Sequence, residues 1–216
     1  MSPFSRSRLA VLTVSAGLVL AGCGGGAAAD EGHDGHGAVA QVEGPADRYA
    51  GIDLRDPYQR PSFTLTGPGG QPYDFAAETG GRPTLLFFGF TNCPDICPTT
   101  MADVTVALRG VDPALAEQVQ VVFVTTDPAF DTPEVLAEYL GRFDADLPTR
   151  FIGLTGDQAA IDQAQLAAGV PQAEDNGRLH SSLLLLYGTD DLADVAFDAG
   201  NTSRDIAEDL ALVTQA

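Results

Sequence analysis

Apolar positions in this chain form two patterns, uncharged runs and stripes at helical spacing, and the two alternate. Two short segments come first, Ser62 to Thr66 and Tyr73 to Phe75, separated by the turn signal Gly67-Pro68-Gly69-Gly70. They read as short strands. The run Thr84-Leu85-Leu86-Phe87-Phe88-Gly89-Phe90 follows. It carries no charge and suits a central strand buried on both faces. From Pro98 to Arg109, Met101, Val104 and Leu108 recur at helical spacing. Gln120 to Thr125 is a second central strand. Thr132-Pro133 then supplies an N-cap and a first-turn proline, before a helix with Leu136, Tyr139, Leu140 and Phe143 on one face. Phe151 to Leu154 reads as a short strand and Asp157 to Ala168 as an Ala-rich helix around Ile161. Ser181 to Tyr187 and Ala193 to Phe197 form a predicted hairpin around Gly188-Thr189-Asp190-Asp191. Thr202 and Asp205 make a capping-box pattern for a last helix with Ile206, Leu210 and Val213.

This order implies an α/β domain over residues 52–216, with helices on both faces of a central mixed sheet. No internal repeat or second linker interrupts it. The preceding residues differ. Arg6 and Arg8 form a short basic region, and Leu9 to Ala21 is uncharged and mostly apolar. That run is short for a membrane span and has the shape of a signal peptide. It ends in Leu20-Ala21-Gly22-Cys23, which looks like a bacterial lipobox. Residues 1–22 are therefore expected to be a lipoprotein signal, with Cys23 acylated. The domain would then sit on the extracytoplasmic face of the cell membrane, held by acyl chains. Residues 23–51 are Gly, Ala and acidic residues with few large apolar side chains, and read as a flexible tether. His33 and His36 lie in that tether. They are read as part of a solvated linker in preference to a metal site, since disordered ligands must first be ordered.

Charge narrows the partners. The chain has 11 Arg, no Lys and 30 Asp+Glu, for a net −19. Removing residues 1–22 takes Arg6 and Arg8 and no acid, which leaves −21. Such a surface is unsuited to nucleic acid and repels anionic headgroups, so any membrane attachment falls to the lipid. The acidity reads mainly as solubilising, with steering of cations or a basic partner as a second use.

With Cys23 acylated, two thiols remain, in Phe90-Thr91-Asn92-Cys93-Pro94-Asp95-Ile96-Cys97-Pro98. Each Cys precedes a proline. Proline disfavours helix in the residue before it, so Cys93 is expected in an extended loop. Pro98 suits a first helical residue, which places Cys97 at or near the N-cap. There the helix dipole favours a thiolate, and a low thiol pKa is expected. An oxidising compartment lets the pair cycle. Three intervening residues allow a disulfide or a metal between two thiolates, and the spacing alone leaves redox and metal chemistry both open. A static clip closes too short a loop to stabilise the chain much. A cysteine pair between the first long strand and its helix makes the thioredoxin-like fold the economical choice.

The segment Phe88 to Pro98 closely resembles the copper motif of the SCO1/SenC family. Val124-Thr125-Thr126-Asp127-Pro128, with Asp131-Thr132-Pro133 behind it, resembles that family's strand-end acid and helix start. His180-Ser181, before an apolar strand, resembles its histidine. The likeness covers roughly residues 58–215. It implies a thioredoxin-like, membrane-tethered, extracytoplasmic domain that binds one copper, Cu(I) or Cu(II), through Cys93, Cys97 and His180. It further implies a role in assembling the CuA centre of cytochrome c oxidase subunit II, or of another cuproprotein, served by a copper donor and a thiol reductant. Asp127 would lie near the site or face a partner. Two soft thiolates and one imidazole independently suit copper, whereas a structural zinc site ordinarily wants a fourth ligand. Two departures stand out. Leu179 precedes the His where the family often has Asp, and Phe130 lies where charged residues are common. Phe130 is read as packing in preference to a partner contact.

Other classes remain. A thiol–disulfide oxidoreductase acting on a cuproprotein's cysteines needs no imidazole, so His180 discriminates against it. A peroxiredoxin would carry Thr or Ser three residues before its reactive Cys, where this chain has Phe90 and Pro94. A lipoprotein scaffold with a structural disulfide would leave the acid and the His unexplained.

Overall fold

The computed structural model describes residues 48–172 and 181–214. Its centre is a six-stranded sheet in the order β1-β8-β7-β4-β5-β6. These strands are β1 (Ile52–Gln59), β4 (Thr84–Gly89), β5 (Gln120–Thr125), β6 (Ile152–Leu154), β7 (Leu184–Tyr187) and β8 (Leu192–Phe197). β2 (Thr64–Thr66) and β3 (Pro72–Asp74) form a separate antiparallel ribbon. β4 pairs in parallel with β5, Leu85 facing Val121 and Phe87 facing Phe123, and antiparallel with β7, Leu85 facing Leu186. The sheet is mixed, as the sequence led one to expect.

Alternation along β4 builds two cores. Leu85 and Phe87 point to one face, where they meet α2 (Ile96–Gly110), α4 (Pro133–Asp144) and α6 (Ser203–Val213) through Met101, Val104, Leu136, Leu140, Ile206 and Leu210. Leu86 and Phe88 point to the other, against Phe75 of α1 (Phe75–Thr79) and Ile161 of α5 (Gln158–Ala167). A strand buried on both faces needs no polar positions, which is why β4 and β5 are uncharged runs. The short helix α3 (Pro113–Ala116) leads from α2 into β5.

Local chemistry sets the helix starts. The Thr132 hydroxyl accepts from the Val135 N–H, with Pro133 in the first turn of α4. Thr202 and Asp205 form the expected capping box at α6. The hairpin turn places Asp191 at a φ of 65°.

Several elements differ from the sequence reading. β1 was not expected. Its sequence IDLRDPYQ is largely exposed; it is an edge strand, held by antiparallel pairing to β8 on one side only. Phe75 opens a helix instead of ending a strand, because the Asp74 side chain caps it. β7 begins at Leu184, so Ser181 to Leu183 lie outside the ladder. Among the described residues no helix is long and apolar enough to cross a membrane.

Candidate metal centre

β4 ends at Gly89, and the chain turns through Thr91 and Asn92 before entering α2. Cys93 stays out of the helix, with its N–H bonded to the Phe90 carbonyl at 3.2 Å. The helix cap is Asp95, whose carboxylate accepts from the Ile96 N–H at 2.6 Å. Cys97 is therefore the second helical residue and Pro98 the third, two positions further into the helix than the proline rule alone suggested. The Thr99 N–H to Asp95 carbonyl bond, at 3.1 Å, opens the ladder. Proline in this first turn forfeits no helical hydrogen bond.

The two sulfurs come together at this helix start. The Cys97 N–H points at the Cys93 Sγ across 3.4 Å. No disulfide joins Cys93 to Cys97 in this structure. Cys93 is half-buried, while Cys97 is 0% exposed within the core between β4 and α2. Gly89 makes that possible. A Cβ there would lie 2.9 Å from the Cys97 Sγ, so the missing side chain is the space the sulfur uses.

Burial also corrects the expectation of an acidic Cys97 thiol. Desolvation pushes its pKa up strongly, the neighbouring Cys93 adds to the rise, and a backbone hydrogen bond from Phe90 offsets only part of it. The helix N-terminus is present, but removing the sulfur from water outweighs it in the metal-free dithiol.

The cysteine loop is fastened to β5 by a residue read in the sequence only as part of a helix-start motif. Asp131 is 1% exposed. Its carboxylate accepts from the Thr91 N–H (3.0 Å), the Thr91 hydroxyl (2.5 Å) and the Thr125 hydroxyl (2.6 Å). The Thr126 N–H to Gly89 carbonyl bond at 2.7 Å ties the same two strand ends. Asp127 lies at the end of β5, buried, and its carbonyl accepts from the N–H groups of Phe130 and Asp131. Phe130 is 59% exposed. It is not packing, contrary to the sequence reading, because the turn held by Asp127 and Asp131 directs it outward.

On the α2 side, a cleft of about 130 Å³ is bordered by Asp95, Ile96, Thr99, Asp103, Leu184 and Phe197. His180, Leu179, Cys23, His33 and His36 lie outside the described residues. Among the described residues no group of three or more His, Cys, Asp or Glu side chains converges to hold a metal. The Cys93–Cys97 pair supplies two soft donors in reach of one another, which fits a thiophilic ion and leaves a third donor to be furnished from elsewhere.

The SCO1/SenC family pattern matches residues 54–215. A Stutzerimonas stutzeri protein with copper binding in its name is 41% identical over 137 residues, 60% of this chain and 64% of that one. The chain thus spans less than two thirds of the length of that curated relative. Among solved structures, apo Sco1 from Thermus thermophilus aligns with a TM-score of 0.65 at 30% identity, covering 79% of this chain and 100% of that one. Bradyrhizobium japonicum ScoI, solved with copper bound, gives 0.59 at 31% identity over 73% and 99%. BsSco, described with a disulfide switch as a member of the Sco family of cytochrome c oxidase assembly proteins, gives 0.55 at 28% identity over 74% and 96%. The fold is thioredoxin-like, the cysteine pair sits where its central strand meets the following helix, and the chain belongs to the SCO1/SenC family.

Proposed function

We propose that this chain is an extracytoplasmic copper metallochaperone. It takes one copper ion as cargo on the thiolates of Cys93 and Cys97 and the imidazole of His180, and it assists assembly of the CuA centre of cytochrome c oxidase subunit II. The observation that carries this reading is the approach of the two cysteines at the end of β4, with Cys93 Sγ 3.4 Å from the Cys97 N–H, in a member of a family whose relatives include a copper-bound structure. Thiolate and imidazole donors suit a soft, exchangeable copper ion. Residues 1–22 act as the signal, Cys23 carries the lipid, and residues 23–51 let the domain 52–216 reach a membrane-bound client. Asp127, beside the cysteine loop, orients the site or meets that client.

Binding costs Cys97 its proton in a dry environment, so the ion must displace it. Cys93, nearer the surface, is the thiol a client or donor reaches first. The same inequality favours a second reading, a thiol–disulfide oxidoreductase. The Cys93 thiolate attacks a client disulfide and forms a mixed disulfide. Cys97 then loses its proton, attacks the Cys93 sulfur and releases the client thiolate. The client gains two electrons and the Cys93–Cys97 pair becomes the disulfide.

Copper titration of the reduced soluble domain, begun after Cys23, beside His180→Ala separates the two. One equivalent bound tightly, with a Cu(II)–thiolate absorption that His180→Ala weakens or alters, supports the metallochaperone. No specific binding, with ready exchange of the disulfide with external thiols, transfers the assignment to the oxidoreductase.

A further inference from the structure

The sheet sets what flanks the cysteine loop. Phe197 of β8 pairs with Leu184 of β7, Leu184 with Phe87 of β4, and Phe87 with Phe123 of β5. One row of residues thus crosses four strands, over about 14 Å at the usual strand spacing. Past that row β4 runs into the cysteine loop, β5 into the turn that carries Phe130, and β8 into Asp198. All three segments open on the same end of the sheet, with the cysteine loop in the middle.

On the β8 flank lies the cleft of about 130 Å³. Pockets for small molecules run to about 300–1,000 Å³, so this one has room for a single long side chain. Ile96, Leu184 and Phe197 give it an apolar floor, and Asp95, Asp103 and Asp198 add carboxylates. No arginine or histidine lines it, and none of the three acids joins an ion pair among the described residues. Asp103 is the least satisfied. It is half-buried, and desolvation pushes its pKa up with no hydrogen bond or neighbouring cation to offset it. The buried carboxylates of Asp131, Asp144 and Asp209, by contrast, all accept hydrogen bonds. A desolvated carboxylate without a donor costs the fold stability. A lysine or arginine matches such a cleft, because its methylenes lie along apolar surface while its charge stays among polar groups.

We propose that this cleft is a docking socket for one long basic side chain of a partner protein that comes down over the cysteine loop. The inference rests on the reading that a partner must reach Cys93. The net charge of −19 favours a basic partner. On the other flank Phe130, 59% exposed, supplies an apolar contact for the same partner. Its turn is fastened to Thr91, two residues before Cys93, through Asp131. Socket, sulfur and aromatic ring lie within the patch of about 800 Å² that a standard interface covers on one partner.

The test titrates N-acetyl-arginine methylamide into the full chain, reduced and metal-free, and follows backbone amides by NMR. The citrulline analogue serves as the uncharged control. Arginine should bind with a Kd of about 1–10 mM, moving the amides of Thr99, Asp103 and Asp198, and citrulline should not. Asp103→Asn should weaken the arginine about fivefold without lowering the urea midpoint. Asp198→Asn, which keeps an oxygen for the Gly200 N–H, should do the same. Shifts spread over the whole acidic surface, or unchanged affinity in both variants, would overturn the proposal. So would tighter binding in Arg178→Gln, since the chain's own arginine, four residues before Ser182, would then be the occupant. Phe130→Ser should leave the arginine probe unaffected and weaken binding of the soluble CuA domain of subunit II, as Asp103→Asn should. Equal binding of that domain by the unaltered chain and both variants would overturn the docking role. A seated arginine with no binding of the CuA domain to the unaltered chain would remove subunit II as the client and leave the socket standing.

Discussion

Gly89→Ala tests the packing argument at its tightest point. The backbone at Gly89 is not left-handed, so alanine is not excluded by conformation. Space excludes it. The new methyl would lie 2.7 Å from Phe87 Cε1, 2.9 Å from Cys97 Sγ and 3.2 Å from Phe123 Cε2. Carbon contacts settle near about 3.5–4.0 Å, so all three neighbours must give way. All three are fully buried between sheet and helices. Overpacking of this kind costs about 1–3 kcal/mol, and the reduced freedom of the unfolded chain returns about 0.4–1 kcal/mol. The net expectation is a loss of about 1–2 kcal/mol, read as a urea midpoint about 1 M lower for the reduced protein. The cheapest relaxation moves the Cys97 sulfur, so formation of the Cys93–Cys97 disulfide should slow as well. Gly141→Ala is the internal control. It is an exposed helical glycine whose added Cβ meets nothing within 4 Å, and it should gain up to about 1 kcal/mol. An unchanged midpoint and oxidation rate for Gly89→Ala, with Gly141→Ala behaving as stated, would refute the idea that Gly89 makes room for the sulfur.

Four further outcomes follow. Asp131→Ala removes the acceptor of three hydrogen bonds that hold the cysteine loop to β5, and should cost about 3 kcal/mol in urea unfolding. A loss under about 1 kcal/mol would mean the clasp is dispensable. Iodoacetamide on the reduced protein near neutral pH should label half-buried Cys93 and spare Cys97, which is buried with its thiol pKa pushed up; label on Cys97 in peptide maps would contradict this. The Asp191 carboxyl is held below its ordinary value of 3.8 by the Gly81 N–H and by Arg60. Because the folded pKa is the lower one, its contribution is full above 3.8 and fades as pH falls through the folded value. Asp191→Asn should therefore flatten the acid limb of stability, and an unaltered limb in urea curves taken across pH would count against it. Phe130→Ser should shift stability by no more than about 0.5 kcal/mol, since the ring lies in solvent; a loss above 2 kcal/mol would restore the packing reading.

Much of the architecture was legible because its signals are local. β4 and β5 are uncharged because both faces are covered, and the hydroxyl of Thr132, the ring of Pro133 and the Thr202–Asp205 pair act within a single helical turn. The cysteine pair and the resemblance around it were equally plain. β1 was not legible. Its residues are mostly polar, and it is held by partners far along the chain: the β8 ladder, and the Asp209 carboxylate gripping the N–H groups of Ala50 and Gly51 at 2.9 and 2.8 Å.

The divide runs through the site itself. Sequence alone determined that Cys93 stands in a loop and Cys97 at a helix start, because proline geometry acts on the adjacent residue. It also identified the face of α4 that carries Tyr139. Only the tertiary structure decided what those positions mean. Phe87 and Phe123 close around Cys97 and take it from water, so burial outweighs the helix dipole and the thiol pKa rises instead of falling. The Tyr139 hydroxyl is buried with no hydrogen-bond partner among the described residues, and Phe130 is turned outward by a clasp built on Asp131. Dipoles, caps and periodicity are properties of a few consecutive residues. Desolvation is set by what packs against a group from elsewhere in the chain, and no short stretch of sequence contains it.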